Sequence, residues 1–257
     1  MAVITLLSDF GEKDHYSAAV KAKILAVNPN ITIVDISHNI RPCDIAHGAF
    51  VLKAVYQDFP EGTVHIIAVD TVGKPHDSYY AAELNNHYFI GTDNGFIGLV
   101  SDKTPRFQVD INSIKPVDTT FPTKDIFAPA AAKLASNTAI QDLGKPLTEL
   151  KRMLNRHLKA NKSLISGHII RVDNYGNLIS NIDQSTFNIL SKQKTYNITF
   201  GRENARRINT SINQVDAGDI FVIFNELGYL EIGINQGKAS DLLGLNYDSP
   251  VMIKFDE

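Results

Sequence analysis

The chain has 257 residues, of which 44% are apolar and 21% charged, a composition that supports one large core or two modest ones. Its net charge of −3 gives no sign of a broad basic surface, so neither a nucleic acid nor a membrane is expected as a partner. The single cysteine, Cys43, excludes an internal disulfide and favours a reducing compartment. No apolar run approaches the roughly 18 residues of a membrane span, and the first residues favour a strand over a signal peptide. We therefore expect a cytoplasmic protein.

Strand and helix patterns alternate in the first part of the chain. Apolar runs rich in strand-forming residues predict buried strands at Ala2–Leu7, Ile31–Ile36 and Val64–Val69. Helical spacing of apolar residues predicts helices between them, at Tyr16–Val27 and Ile45–Phe59. This β-α-β-α-β order predicts a parallel sheet with right-handed crossovers.

Further strands are predicted at Tyr79–Leu84 and Tyr88–Ile90, and Asp93-Asn94-Gly95 then supplies a tight turn of the hairpin type before the run Phe96–Val100.

Two aspartates are predicted to cap helices at their N-termini. Asp44 precedes the helix at Ile45–Phe59, and Asp125 precedes an alanine-rich helix that carries Pro129 in its first turn.

A polar, basic segment from Lys145 to Lys162 follows, and we interpret it as a solvated linker or a surface helix. Beyond it the helical signal fades and short strand-type runs alternate with turns. These runs are Gly167–Val172, Tyr196–Phe200, Phe221–Phe224, Tyr229–Ile234 and Val251–Phe255. The sequence therefore predicts an α/β protein: an N-terminal α/β domain at 1–160 with a mostly parallel sheet, and a smaller all-β, barrel-like or sandwich domain at 161–257.

Three of the early strand patterns end in or near a carboxylate, namely Asp9, Asp35 and Asp70. Ligands of open parallel sheets bind beyond the carboxyl ends of the strands. Each aspartate alone is well explained as the cap of a turn, but three together predict an acidic mouth for a cation or a hydroxyl-rich ligand such as ribose.

The residues around Asp9 suit a ribose more closely. A carboxylate at a strand end can accept hydrogen bonds from both hydroxyls of a ribose diol, and Phe10 offers an apolar wall beside it. Asp14 is either a ligand-binding residue or the N-cap of the first helix.

The second part of the chain contains the turn Asp173-Asn174-Tyr175-Gly176-Asn177. Its carboxylate could accept from an ammonium group, and its aromatic ring and amides could hold a purine. The spacing alone favours an ordinary hairpin turn of the Asn-Gly type.

The signatures of several other enzyme classes are absent from the sequence: it has no P-loop, no GxGxxG, no GxSxG and no CxxC. His65, His87 and His157 are scattered, which predicts no metal site, and Asp35-x-x-His38 is interpreted as a strand entering a turn.

Six motifs occur in one order along nearly the whole chain: LLSDFGxxD, IVDISHNIxP, AVDxVG, FIGTDNG, KDIFAPAAA and VDNYGNLISNI. Together they resemble the S-adenosylmethionine (SAM) hydroxide adenosyltransferases, relatives of the fluorinases and chlorinases. The resemblance implies a homotrimer whose ligand lies between the first domain of one subunit and the second domain of its neighbour. It also implies SAM as the substrate and no cofactor.

The resemblance implies roles for individual residues. Asp9 would hold the ribose hydroxyls, with Asp14 near the ribose or the methionine. Asp173 would receive the methionine ammonium, and Tyr175 and Asn177 would bind the adenine end.

The resemblance also fails at two catalytic positions. Asp70 matches the aspartate of an Asp–Arg–His set that positions water, but the arginine is missing and His76 is the nearest replacement in the loop. Pro122 stands where the family histidine is expected, and Thr123 where a fluorinase has a hydroxyl.

We therefore expect hydrolysis of SAM to adenosine and L-methionine by attack of water or hydroxide at ribose C5′. Three alternatives stay open: a protein that binds SAM or adenosine without turnover, a halide-using relative, and an enzyme acting on another nucleoside.

Overall fold

The computed structural model describes residues 3–71, 78–112, 119–154 and 157–256. Contacts divide the chain into two compact units, Met1–Asn155 and Arg156–Glu257. Among the described residues, no helix is both long and apolar enough to cross a membrane.

The first unit contains a seven-stranded sheet with helices on both faces, in the strand order β2-β1-β3-β5-β4-β6-β7. Its elements are β1 (Val3–Ser8), α1 (Tyr16–Val27), β2 (Thr32–Ser37), α2 (Ile45–Val55), β3 (Val64–Ala68), β4 (Tyr79–Leu84), β5 (His87–Thr92), α3 (Phe96–Val100), β6 (Phe107–Asp110), α4 (Ala128–Ala135) and β7 (Lys145–Pro146). Strands β2, β1, β3 and β5 run parallel to one another, and only β4 and β7 run against the common direction. The predicted mostly parallel sheet is confirmed.

The central strands are apolar on both faces because both faces are covered. Along β1, Ile4 and Leu6 pack on one side with α1 and α4, while Leu7 packs on the other side with α2 and α3. This double burial explains why the strands read as continuous apolar runs without alternation.

Asp44 caps α2 as predicted, because its side chain accepts a hydrogen bond from the backbone N–H of His47 at 2.9 Å. Asp125 does not cap α4, and that prediction is wrong. A π-helical turn at Thr123–Phe127 precedes α4, and Asp125 lies inside it. Its carboxylate instead accepts a hydrogen bond from Thr119 Oγ1 at 2.6 Å.

The run Phe96–Val100 forms the short helix α3 and not the second half of a hairpin. Gly95 adopts a left-handed conformation (φ 93°) at its start. The four apolar residues of α3 are buried against α2, so tertiary packing decides the conformation of a run that is ambiguous by itself.

The polar segment that begins at Lys145 contains no helix among its described residues, only the two-residue strands β7 and β8 (Lys159–Ala160) in largely exposed chain. Of the two interpretations, the solvated linker fits these residues.

The second unit is an antiparallel, barrel-like sheet of eight strands around one apolar core. After β8 its elements are β9 (Leu164–Val172), β10 (Leu178–Asp183), α5 (Gln184–Leu190), β11 (Tyr196–Phe200), β12 (Glu203–Ala205), β13 (Ile220–Phe224), β14 (Tyr229–Ile234), α6 (Ala239–Leu243) and β15 (Pro250–Phe255). The predicted β architecture is confirmed, with two short helices added.

Candidate functional site

Two of the three predicted aspartates meet beyond the carboxyl ends of neighbouring strands in the first unit. Ser8 of β1 lies opposite Ala68 of β3, so Asp9, one residue beyond β1, and Asp70, two residues beyond β3, lie past paired strand ends. Asp9 Oδ2 accepts hydrogen bonds from the backbone N–H groups of Cys43 at 2.9 Å and Asp70 at 3.2 Å. Within the described residues, no hydrogen bond to Asp9 Oδ1 is found, which leaves that oxygen available for a ligand.

Both residues that donate to Asp9 have left-handed backbone conformations, Cys43 with φ 59° and Asp70 with φ 51°. Such conformations cost free energy for residues other than glycine and cluster where a function requires them. Here they turn two backbone N–H groups toward one carboxylate oxygen, which fixes the position of the Asp9 side chain.

Asp35 does not join this pair, so the predicted mouth holds two strand-end carboxylates and not three. Asp35 lies within β2, opposite Leu6, and forms an ion pair with Lys21 of α1 at 2.5 Å. Partial burial acts to raise the pKa of Asp35, but the hydrogen bonds from Lys21 and His38 outweigh it and the pKa is lowered. Its negative charge is therefore balanced locally.

Phe10 lies in an aromatic group that joins three parts of the first unit. Its ring centroid is 5.7 Å from those of both Tyr16 and Phe121, which are themselves 5.6 Å apart. This contact places the segment after Phe121, including Thr123, beside the loop that carries Asp9.

Thr123 is 1% exposed, and its hydroxyl has no hydrogen-bond partner among the described residues. Thr92, at the end of β5, is similarly buried and unpartnered within the described chain. The π-helical turn packs against β3 and β5, and strand alternation directs Thr92 to the face that this turn covers. An unsatisfied buried hydroxyl costs about 1–3 kcal/mol, which a bound water or ligand would offset.

Asp14 is exposed in the loop before α1, whose N-cap is His15 without a side-chain capping bond. The capping alternative for Asp14 is therefore wrong, and its ligand-binding role stays a prediction. His76 lies outside the described residues. In the described part of the chain, no group of three His, Cys, Asp or Glu side chains is arranged for a metal ion.

In the second unit, the predicted turn connects β9 and β10 and is organised by Asp173. Its Oδ1 accepts hydrogen bonds from the backbone N–H groups of Tyr175 at 2.9 Å and Asn177 at 2.8 Å. Its Oδ2 accepts a longer bond of 3.3 Å from Asn177 Nδ2. Gly176 has φ 82°, which suits glycine and closes the turn. The tight-turn interpretation is correct for the backbone.

This turn borders a cavity of about 540 Å³ in the second unit. It is lined by Asn174, Tyr175, Asn177, Ile212, Phe221, Ile234, Asn235, Gln236, Gly237 and Lys238. Aromatic and aliphatic walls with several amides and one cation are typical of a site for a planar polar ligand. Tyr175 is 76% exposed at its rim, whereas the Phe221 ring is buried.

The chain matches two protein-family models: that of the SAM hydroxide adenosyltransferase N-terminal domain over residues 4–144 and that of the C-terminal domain over residues 167–252. The chain belongs to the SAM hydroxide adenosyltransferase family. The resemblance drawn from the motifs is thereby confirmed.

Relatives of this chain include a protein named (R)-S-adenosyl-L-methionine hydrolase from Methanocaldococcus jannaschii, 30% identical over 95% of this chain and 93% of the relative. A fluorinase from Actinoplanes is 23% identical over 71% of this chain and 72% of its own length. Among solved structures, an uncharacterized conserved protein from Thermotoga maritima superimposes with a TM-score of 0.88 at 28% identity, covering 99% of this chain and all of that one.

Glu231 is a residue of the second unit that the sequence motifs do not indicate. It is buried in β14 and accepts hydrogen bonds from Asn177 at 3.0 Å and Asn225 at 3.1 Å. Burial raises the pKa of Glu231, an effect that the bond from Asn225 only partly offsets. A lone carboxylate in an otherwise apolar strand was the available signal, because such a residue is rarely buried without a partner.

Gly233 leaves room for Phe221 and Asn177, two residues that line the cavity, and it lies opposite Phe221 in the β13–β14 pair. A Cβ atom there would lie 2.1 Å from Phe221 Cζ and 2.6 Å from Asn177 Oδ1. We expect Gly233→Ala to lower the free energy of unfolding by about 1–3 kcal/mol through overpacking, measured by urea denaturation. Adding Phe221→Leu should recover part of the loss, and an absence of recovery would contradict the proposed clash.

Proposed function

We propose that the chain hydrolyses S-adenosyl-L-methionine to adenosine and L-methionine by in-line attack of water or hydroxide at ribose C5′. The observation that carries the proposal is the pairing of Asp9 and Asp70 at the carboxyl edge of the sheet, in a chain related to a named SAM hydrolase.

The ribose is assigned to the first unit. Asp9 Oδ2 is occupied by two backbone N–H groups, and Oδ1 is the oxygen left to accept hydrogen bonds from the ribose hydroxyls. Phe10 supports the apolar side of the sugar, and Asp14 stays a candidate contact near the ribose or the methionine.

Asp70 is assigned as the proton acceptor. Its backbone N–H holds Asp9, while no hydrogen bond to its carboxylate is found within the described residues. The attacking water forms the C5′–O bond as the C5′–S bond breaks, the electron pair goes to sulfur, and neutral thioether methionine leaves. The substrate is a sulfonium cation, so the water proton is the only one to be removed. Orienting the water and the C5′–S bond is worth roughly 7–11 kcal/mol, and general-base catalysis adds roughly 10²–10⁴-fold.

Thr123 and His76 are proposed to help hold the nucleophile. A buried hydroxyl can bind water or a halide equally well. The Asp70 carboxylate, in contrast, repels a halide and has no hydrogen to donate to it. We therefore favour water over halide.

The adenine is assigned to the cavity of the second unit. Its volume of about 540 Å³ falls in the range of small-molecule sites. Tyr175 supplies a ring for stacking, and Asn177 is an amide on the cavity wall. Asp173 is proposed to receive the methionine ammonium, because a carboxylate oxygen can accept more than one hydrogen bond.

The homotrimer, the absence of a cofactor and the cytoplasmic location stay predictions. So does the assignment of the ribose and nucleophile to residues 1–160 and of the adenine and methionine to residues 161–257.

The test is to incubate the purified protein with SAM and to follow adenosine and methionine by chromatography, with and without chloride. We expect equal amounts of both products, unchanged by chloride. Binding of SAM without product would support the alternative of a ligand-holding relative, and 5′-chloro-5′-deoxyadenosine in place of adenosine would support a halide nucleophile.

A further inference from the structure

A chain of side-chain contacts leads from the end of β1 to the surface of the first unit. Ser8 Oγ lies 2.6 Å from His38 Nδ1, and His38 Nε2 lies 3.1 Å from Asp35 Oδ1. Asp35 Oδ2 in turn binds Lys21. Ser8 is 2% exposed and His38 7% exposed, so the inner part of this series of contacts is buried. The reaction proposed above uses none of these side chains.

The charges of these side chains determine which groups donate hydrogen bonds and which accept them. Asp35 is held ionised by Lys21 and His38, and an ionised oxygen beside Nε2 favours a proton on that nitrogen. With the proton on Nε2, Nδ1 is left as an acceptor, and the Ser8 hydroxyl donates to it.

The same residues hold the backbone on both sides of Asp9. Phe10 N–H donates to Ser8 Oγ at 3.4 Å, and Gly11 N–H donates to the His38 carbonyl at 2.8 Å. Ile40 N–H donates to the Ser8 carbonyl at 3.3 Å. The loop that presents Asp9 is therefore bonded at residues 8 and 11 to the segment that follows β2, and Phe10 is bonded to Ser8 within the loop.

We propose that Ser8 and His38 are positioning residues for ribose recognition, an inference that rests on the proposed function. They orient Asp9 through the Ser8–His38 hydrogen bond and the charge of Asp35. Asp9 itself is held at Oδ2 by two N–H groups on other loops, so a shift of the 8–11 loop changes where Oδ1 points. A hydrogen bond to a carboxylate weakens steeply when its geometry is lost.

The arrangement of serine, histidine and aspartate does not make Ser8 a nucleophile. Its hydroxyl is buried and is bonded both to His38 and to the backbone of Phe10, so a carbonyl carbon has no access to it.

The experiment compares the binding of adenosine and 2′,3′-dideoxyadenosine by calorimetry, because only adenosine carries the diol. For the unaltered protein we expect adenosine to bind at least about tenfold more tightly, as fits hydrogen bonds to a charged acceptor. In Ser8→Ala and His38→Phe, the ratio of the affinity for adenosine to that for 2′,3′-dideoxyadenosine should fall toward one, with the affinity for the dideoxy compound unchanged. His38→Asn should retain the ratio, since its amide oxygen takes the place of Nδ1 as acceptor. Ser180→Ala removes a buried serine in the second unit, and this matched control should also retain it.

Asp9→Ala separates this inference from the proposed function. If Asp9→Ala keeps the ratio, the ribose role of Asp9 itself is wrong. If Asp9→Ala abolishes the ratio but Ser8→Ala and His38→Phe keep it, the positioning role is overturned. Equal weakening of both ligands would also overturn it, since that is the result of a merely structural role. Should His38→Phe fail to fold, the smaller change Ser8→Ala decides.

Discussion

Replacing Asp70 with asparagine is expected to lower kcat for SAM by about 10²–10⁴-fold, the usual contribution of a general base. Asparagine keeps the size of the side chain and the backbone N–H that donates to Asp9. It also tolerates the left-handed conformation at this position, where φ is 51°. The substitution therefore removes the charge and the basicity of the carboxylate and little else. Release of adenosine at saturating SAM measures the effect.

Two matched variants separate this role from a general loss of charge. Asp9→Asn should act mainly on the KM for SAM, because Asp9 is assigned to the ribose and not to the water. Asp58→Asn changes an exposed aspartate near the opposite, amino end of the sheet and should leave both constants unchanged. A kcat for Asp70→Asn within twofold of the unaltered enzyme would refute the base assignment.

The meeting of Asp9 and Asp70 follows from sequence by a short argument. Both residues come within two positions of the end of an apolar strand, the strands are separated by helices, and parallel strands place their carboxyl ends at one edge. In the structure, the pairing of Ser8 with Ala68 brings the carboxyl ends of these two strands together. Helix α1 and the cap of α2 were predictable for a similar reason, since local periodicity and local capping determine them.

Features that depend on neighbours in space were not predictable. Asp35 resembles a third strand-end carboxylate in the sequence, but its charge is balanced by Lys21, a residue of a different element. Phe96–Val100 is helical because α2 covers it. The left-handed Cys43 is neither a glycine nor an asparagine, so nothing in its residue type indicates that its N–H would hold Asp9. Each of these depends on a partner distant in sequence.

Acid sensitivity of the first unit is expected to come largely from a buried histidine pair near the amino ends of β3 and β5. His65 is fully buried, with Nδ1 2.7 Å from Thr5 Oγ1 and Nε2 3.2 Å from His87 Nδ1. Burial, with a smaller contribution from His87, lowers the pKa of His65 to about 3. Burial also lowers the pKa of His87, against the opposing charge of Glu61.

Because the pKa of His65 is lower in the folded state than in the unfolded chain, protons bind preferentially to the unfolded chain. The contribution to stability is complete above about pH 6.5 and is lost as the pH falls from there toward about 3. One pKa unit corresponds to about 1.4 kcal/mol, so acidification from pH 7 to pH 4 should cost of the order of 3 kcal/mol through His65 alone. Urea denaturation followed by circular dichroism at both pH values measures the loss.

His65→Gln should flatten this dependence, because glutamine keeps a polar group toward His87 but does not titrate. The difference in unfolding free energy between pH 7 and pH 4 should then shrink by about the same 3 kcal/mol, even if stability at pH 7 falls. His157→Gln removes an exposed histidine and should leave the difference intact. If His65→Gln retains the full acid sensitivity, His65 is not its source, and the loss comes from other groups that become protonated over the same range, such as His87 or the carboxylates.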